Sequence, residues 1–363
     1  MAATFDVQAV RAQFPALQQT VGANITPVFF DNPAGTQVPQ GVIDAVRDYY
    51  VHMNANSGGA FLTSQRSDEM VWKTRVKVAD FLNAPSAEEI VFGANMTSLS
   101  FALSRAIAQT LSPGDEIVLT RMDHDANVAP WLRVAEDRGL VVKWVDLRAE
   151  DCTLDMDSLE AALSEKTKLV ATVHASNAVG TVNAVRQIAG MAKAVGALHV
   201  VDAVQSAPHV PIDVQEIGCD FLLCSAYKFF GPHIGVMWGR YDLLDKFPAY
   251  KVRPQKDKPP YKWENGTPSF ETINAVGAAI DYINWAGQRF GAADVKLSGY
   301  EGRRLELKQA MTAIGAYERD LAAKLIAGLQ NIPGVKIYGV TDAERSAERV
   351  PTVSFAKAGY TPR

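Results

Sequence analysis

The amino-acid sequence predicts an α/β fold: a seven-stranded, mostly parallel sheet with helices on both faces, joined to a small α+β domain. Three observations predict it. Short runs rich in Val, Ile and Leu alternate with segments long enough for a helix, the βαβ rhythm of a parallel sheet. Several of those runs lack polar alternation, so both faces of their strands should be buried. The chain has 363 residues, 48% hydrophobic and 21% charged, which is too long for one ordinary domain and enough for a sizeable core. The large domain is expected to span residues 31–275, and the small one residues 1–30 and 276–363.

The strand candidates, in order, are EIVF (89–92), EIVLT (116–120), VVKWV (141–145), KLVATVHA (168–175), LHVVDA (198–203), FLLCSA (221–226) and GVMWG (235–239). The last two lie close together, so that pair is expected to be antiparallel. A Lys- and Pro-rich loop (251–262) follows. A helical region then runs from about 272 to 329, with a break near 287–291. VKIYG (335–339) and TVSFA (352–356) read as two strands of a small sheet. A two-stranded pair is marginal unless something packs on it. A further C-terminal piece of the natural protein is therefore expected beyond Arg363.

Composition narrows the function. Formal net charge is −4, from 36 basic and 40 acidic residues, with no run of like charges. That argues against nucleic acid or an anionic membrane as the main partner. No apolar stretch reaches the ~20 residues needed to span a bilayer. The N-terminus MAATFDVQAVRAQFPAL lacks the apolar core of a signal peptide. Cys152, Cys219 and Cys224 show no spacing of a disulfide framework or a zinc site. A cytoplasmic protein with no metal is the expectation.

In open sheets of this kind, ligands bind at the carboxyl ends of the strands. Polar residues collect there. His124 and Asp125 follow EIVLT, and His174, Ser176 and Asn177 follow KLVATV. Asp202 ends LHVVD, and Ser225 and Lys228 follow FLLC. Lys228 comes 26 residues after Asp202. Pyridoxal 5′-phosphate (PLP) needs such a set: an amine to form an imine, a carboxylate to keep the pyridine nitrogen protonated, and donors for the phosphate.

The segment VVDAVQSAPHVPIDVQEIGCDFLLCSAYKFFGPHIG (200–235) resembles the cofactor-binding region of the cysteine desulfurase and selenocysteine lyase family, within the class V aminotransferases of fold-type I. The resemblance implies Lys228 as the Schiff-base lysine and Asp202 as the pyridinium partner. It implies Gln205 on the phenolic oxygen and Ser225 on the phosphate. VHASNAVGTVNAV (173–185) is similar to the family's His-x-Ser-Asn-x-x-Gly-Thr stretch and implies Asn177 near the phenolic oxygen. FFDNPAGTQVP (29–39) is similar to its early strand-turn beside the substrate pocket. NGTPSF (265–270) is similar to an element that reaches the phosphate of the neighbouring subunit. It implies Thr267 as a ligand in trans, and hence a homodimer. In FGANMTSLSFALSRA (92–106), Ala94 and Asn95 open a helix whose N–H groups can bind phosphate.

Three departures from the family stand out. The family's desulfurases carry His-His-Ala-Asn-x-x-Pro-Trp, with the second histidine taken to stack on the cofactor ring. Here the stretch is DHDANVAPW (123–131), so the stacking position is expected to fall on Asp125, with His124 beside it. A carboxylate cannot stack, but a buried one can move a proton. The lysine motif is Ser225-Ala226-Tyr227-Lys228 in place of Ser-Gly-His-Lys. Tyr227 can donate a hydrogen bond to phosphate but cannot become a cation near neutral pH. No cysteine follows Cys224, although the family's persulfide-forming cysteine and substrate-clamping arginines lie in the C-terminal part. These departures suggest a divergent subgroup. C–S bond cleavage of cysteine or a relative, with a possible sulfur acceptor, leads the functional expectation. A class V aminotransferase or amino-acid epimerase is the first alternative, and a non-catalytic scaffold the second.

Overall fold

The computed structural model describes residues 5–22 and 25–361; residues 1–4, 23–24 and 362–363, Arg363 among them, lie outside the described residues. Seven strands form the main sheet: β1 (Ile90–Gly93), β2 (Glu116–Thr120), β3 (Val141–Val145), β4 (Thr167–Val173), β5 (Leu198–Asp202), β6 (Phe221–Ser225) and β7 (Gly235–Gly239). Their spatial order is β1-β7-β6-β5-β4-β2-β3. Strands β2 to β6 pair in parallel, whereas β7 runs antiparallel to both β1 and β6. The antiparallel β6–β7 pair has a simple cause. The connection 226–234 is too short for a helical crossover.

Alternate residues of the central strands feed two separate cores. Leu222, Cys224, Val236 and Trp238 pack with the helices Leu62–Leu82 and Phe270–Phe290. Phe221, Leu223 and Met237 pack on the other face with Met96–Ala108 and Ala129–Arg138. Burying both faces explains why these strands read as unbroken apolar runs. The edge strand β3 differs. Val141 is 42% exposed, and burial alternates along the strand.

Strand ends are shorter than the apolar runs. The run 168–175 leaves the sheet after Val173, because the Ser176 N–H turns back to the Thr181 carbonyl at 2.8 Å. The helical region after the Lys/Pro-rich loop is two helices, Phe270–Phe290 and Gly302–Gln330. The domain boundary expected at residue 275 falls inside the first of them. Ile273, Val276, Ile280 and Ile283 belong to one core on both sides of that point. The second sheet pairs β8 (Val335–Tyr338) antiparallel with β9 (Ser354–Lys357). No helix among the described residues is long and apolar enough to cross a membrane.

Candidate active site

A cleft of about 290 Å³ opens where the carboxyl ends of β4, β5 and β6 meet the start of the helix Met96–Ala108. It is lined by Asn95, His124, Asn177, Asp202, Gln205, Ser225, Tyr227 and Lys228, all expected from the sequence. Ala94, Asp125 and Thr267 do not line it.

Lys228 ends the one-turn helix Ala226–Lys228 that follows β6. Its side chain is buried, and Nζ donates to the Pro33 carbonyl. Burial lowers the ammonium's pKa, and the nearby Asp202 charge opposes that shift. Asp202 is the last residue of β5, and its Oδ1 accepts from the Val204 N–H at 2.8 Å. Burial pushes this carboxyl up to about 6, against the stabilising pull of the Val204 N–H, His124 and Lys228. Amine and acid are therefore electrostatically coupled inside a largely desolvated pocket.

The opposite end is a cradle of backbone donors. The first-turn N–H groups of a helix have no intrahelical acceptors. Ser225 Oγ accepts from the Met96 N–H at 3.3 Å, and Asn95 Oδ1 accepts from the Ser98 N–H at 2.8 Å. The Leu99 N–H bonds the Asn95 carbonyl. That leaves the Thr97 N–H at the cleft wall as the donor for an anion, with Ser225 Oγ beside the same turn. Gly235 of β7 lies directly beneath this turn, and a Cβ there would sit 2.3 Å from the Asn95 carbonyl carbon.

Gln205 is buried, and its Nε2 donates to Thr352 Oγ1 at 3.0 Å. Its Oε1 has no partner among the described residues. A hydroxyl both donates and accepts, so the amide can reverse and aim Nε2 into the cleft without losing Thr352. Asn177 is half-buried, in a turn where Ser176 Oγ accepts from the N–H groups of Ala178 and Val179, both at 3.3 Å. Tyr227 stacks on His233, with ring centroids 5.1 Å apart and planes 16° apart. Its carbonyl accepts from the Thr36 N–H at 3.0 Å, which pins the Asn32–Ala34 turn over the lysine.

Two expectations need correction. Asp125, expected at the stacking position, does not line the cleft. It begins the one-turn helix Asp125–Asn127 and is exposed to solvent, while His124 and Ala126 face the cleft. His124 Nδ1 accepts from the Ala126 N–H at 3.0 Å, so the neutral ring carries its proton on Nε2. The imidazole expected to be missing is thus present, one residue earlier. Ala94 is exposed in the turn between β1 and the helix and does not reach the cleft.

Thr267 lies in the exposed stretch 265–269, outside its own chain's cleft. That stretch is rooted firmly. Glu264, just before it, forms a bidentate pair with Arg75 at 2.8 and 2.6 Å and accepts from the Phe92 N–H at 2.7 Å. Phe270, just after it, is buried. Cys224 is buried behind Ser225, and burial together with the Asp202 charge pushes its thiol up. Neither it nor buried Cys219 is poised as a thiolate nucleophile. Sequence reasoning missed Thr97, Pro33 and Asp123. Thr97 could have been found as the second residue of a phosphate-binding helix; Pro33 lies in the 29–39 turn expected beside the pocket but was not singled out.

The residue set suits PLP: a buried lysine, an acid at the adjacent strand end, and, among the described residues, an amide oxygen without a partner and a helix-start N–H without an acceptor. Residues 28–307 match the aminotransferase class-V family. The chain belongs to that family. It is 35% identical to a cysteine desulfurase of Serratia proteamaculans, over 97% of this chain and 83% of the relative. It is 33% identical to a probable cysteine desulfurase of Streptomyces coelicolor, over 98% of this chain and 83% of the relative. Among solved structures, the apo cysteine desulfurase of Thermococcus onnurineus superposes with a TM-score of 0.84 at 28% identity, covering 100% of this chain and 85% of the other. An Escherichia coli cysteine desulfurase in its S-sulfonic acid form gives 0.80 at 27% identity, covering 99% and 84%. This aminotransferase class-V protein therefore has the fold-type I architecture of PLP-dependent enzymes.

Proposed function

We propose that this class V protein holds PLP in the cleft and cleaves the C–S bond of cysteine or a closely related amino acid. The observation that carries the cofactor is the buried Lys228 amine facing the buried Asp202 carboxyl in one pocket. When bound, the cofactor supplies an electron sink for negative charge at the substrate's α-carbon. Lys228 would hold it covalently through Nζ. Asp202, fixed by the Val204 N–H, would keep the pyridine nitrogen protonated. Ser225, Asn95 and the Thr97 N–H would take the phosphate, with one further hydrogen bond from Tyr227. Gln205 and Asn177 would meet the phenolic oxygen.

In turnover, the Lys228 amine, once displaced by the substrate's own amine, would remove the α-proton. The burial that lowers its pKa raises the neutral fraction able to do so. His124, with Nδ1 held by its own turn, is placed to donate a proton from Nε2 at the cleft wall. The cysteine desulfurase relatives support cysteine as the substrate. Thr267, exposed and outside its own cleft, would serve the neighbouring subunit of a homodimer. A sulfur acceptor is a further partner. The three free cysteines support a cytoplasmic setting.

The test is product analysis with PLP present. With a thiol reductant present to supply the two electrons that take the released sulfur to sulfide, sulfide and alanine should form from cysteine. Keto acid or inverted α-carbon from an amino-acid panel, without sulfide, would replace the desulfurase by an aminotransferase or epimerase. Lys228→Ala should lose a borohydride-sensitive absorbance band. No band in the unaltered protein would leave only the scaffold alternative.

A further inference from the structure

Asp123 stands behind the cleft wall, one residue before His124, and has no role in the chemistry above. Its carboxylate accepts from Asn127 Nδ2 at 2.6 Å and from Thr120 Oγ1. Thr120 is the last residue of β2 and is buried. Asn127 closes the one-turn helix Asp125–Asn127, is fully buried, and its N–H bonds the His124 carbonyl at 2.8 Å. The Val173 backbone N–H at the end of β4 also favours the charged form. This partly buried carboxylate thus ties the end of β2 to the turn that carries His124.

We propose that Asp123 is a positioning residue: its carboxylate clamps the His124 turn to the end of β2 and so fixes the imidazole at the cleft wall. The chemistry explains why a carboxylate is used. A carboxylate accepts from two side-chain donors, one at each oxygen, without any proton having to be placed. The arrangement is costly, because burial and the Asp202 charge push the Asp123 carboxyl up to about 7. A group held in so unfavourable a place needs a structural reason, and the His124 turn supplies one. The importance of His124 to turnover rests on the function proposed above; the clamp itself does not.

Two readouts separate those layers. In cofactor-free protein, ¹⁵N NMR of the His124 ring, assigned with His124→Ala, reports its tautomer. The clamp predicts one tautomer, protonated at Nε2, in the unaltered protein and averaged ring nitrogens in Asp123→Ala. The pair Thr120→Val with Asn127→Ala should do the same while leaving the carboxylate in place. Asp123→Asn should keep the single tautomer, since its oxygen can accept from Asn127 and its amide can donate to Thr120. In PLP-loaded protein, Asp123→Ala should lower kcat roughly 100-fold with KM and PLP affinity little changed, the size of a lost acid–base contribution. An unchanged His124 tautomer in Asp123→Ala overturns the clamp. So does an Asp123→Asn variant as disordered as Asp123→Ala. If the unaltered protein turns nothing over, the proposed function fails while the tautomer result still decides the clamp.

Discussion

Gly235 and Asn95 touch through their backbones: a Cβ on Gly235 would lie 2.3 Å from the Asn95 carbonyl carbon and 2.7 Å from the Met96 nitrogen. The contact is backbone against a missing side chain, so no rotamer change can relieve it. Gly235→Ala must push the helix start away from β7. The expected cost is about 1–3 kcal/mol of stability, as for other overpacked cores. PLP affinity should fall as well, because the displaced turn carries the Thr97 N–H. Thermal melts with and without PLP check this: the variant should show a smaller PLP-induced rise in Tm than the unaltered protein.

Arg75 and Glu264 form a buried, bidentate pair, with side chains 1% and 7% exposed. Arg75 also donates to the Ile90 carbonyl at 2.6 Å. Removing one partner strands a buried charge, so Glu264→Ala should destabilise by about 3–5 kcal/mol. Arg75→Met combined with Glu264→Leu should cost markedly less than the two single changes summed. Chemical denaturation of the singles and the double measures this coupling.

Asp202 bears on stability against pH. Its folded pKa is raised, to about 6 from an ordinary 3.8. A raised carboxyl contributes stability below the unfolded pKa and loses it as pH rises through the folded one. The cofactor-free protein should therefore gain stability at pH 8 on Asp202→Asn, by an amount on the order of 2 kcal/mol. The same variant should bind PLP more weakly. Equilibrium unfolding at pH 8 and a PLP titration read the two effects, which have opposite sign.

His174 and His199 act on the acid side. Burial holds their rings down to about 4 and about 3. Each has a buried Nδ1 without a partner among the described residues, while His199 Nε2 meets Thr172 Oγ1 at 2.8 Å. Here the folded pKa is depressed below the ordinary 6.5, so the unfolded chain takes up protons first. Stability is present above about pH 6.5 and is lost as pH falls toward 4. His199→Gln should flatten that acid limb in a pH series of melting temperatures.

The strands β2, β3 and β7 coincide with their apolar runs because Gly, Pro and charged residues bound them closely. Glu89 and Ala175 extend other runs without joining the sheet, since hydrophobicity does not report where a backbone N–H finds its partner. The rim of strand ends was legible for the same reason the fold was: parallel strands place their carboxyl ends together. The His124–Asp125 choice was not legible. His124 is the extended N-cap and Asp125 the first residue of the one-turn helix, so the backbone changes direction between them and adjacent side chains diverge. Asp123 was hidden differently. Its partners Thr120 and Asn127 are near in sequence, but no pattern of residue types shows that both turn toward one carboxylate. Thr97 acts through its backbone, which carries no side-chain signature.

The anchoring of Glu264 and Phe270 on either side of Thr267 has a consequence for association. Whatever surface receives the 265–269 tip meets a projection whose two feet are already fixed in the core. Little backbone freedom remains to be surrendered on contact, so the entropy lost on assembly falls mainly on rigid-body motion and a few side chains. Cutting the Arg75–Glu264 root would turn that rigid peg into a tether, and association in the proposed homodimer should weaken without any residue of the contact itself being changed.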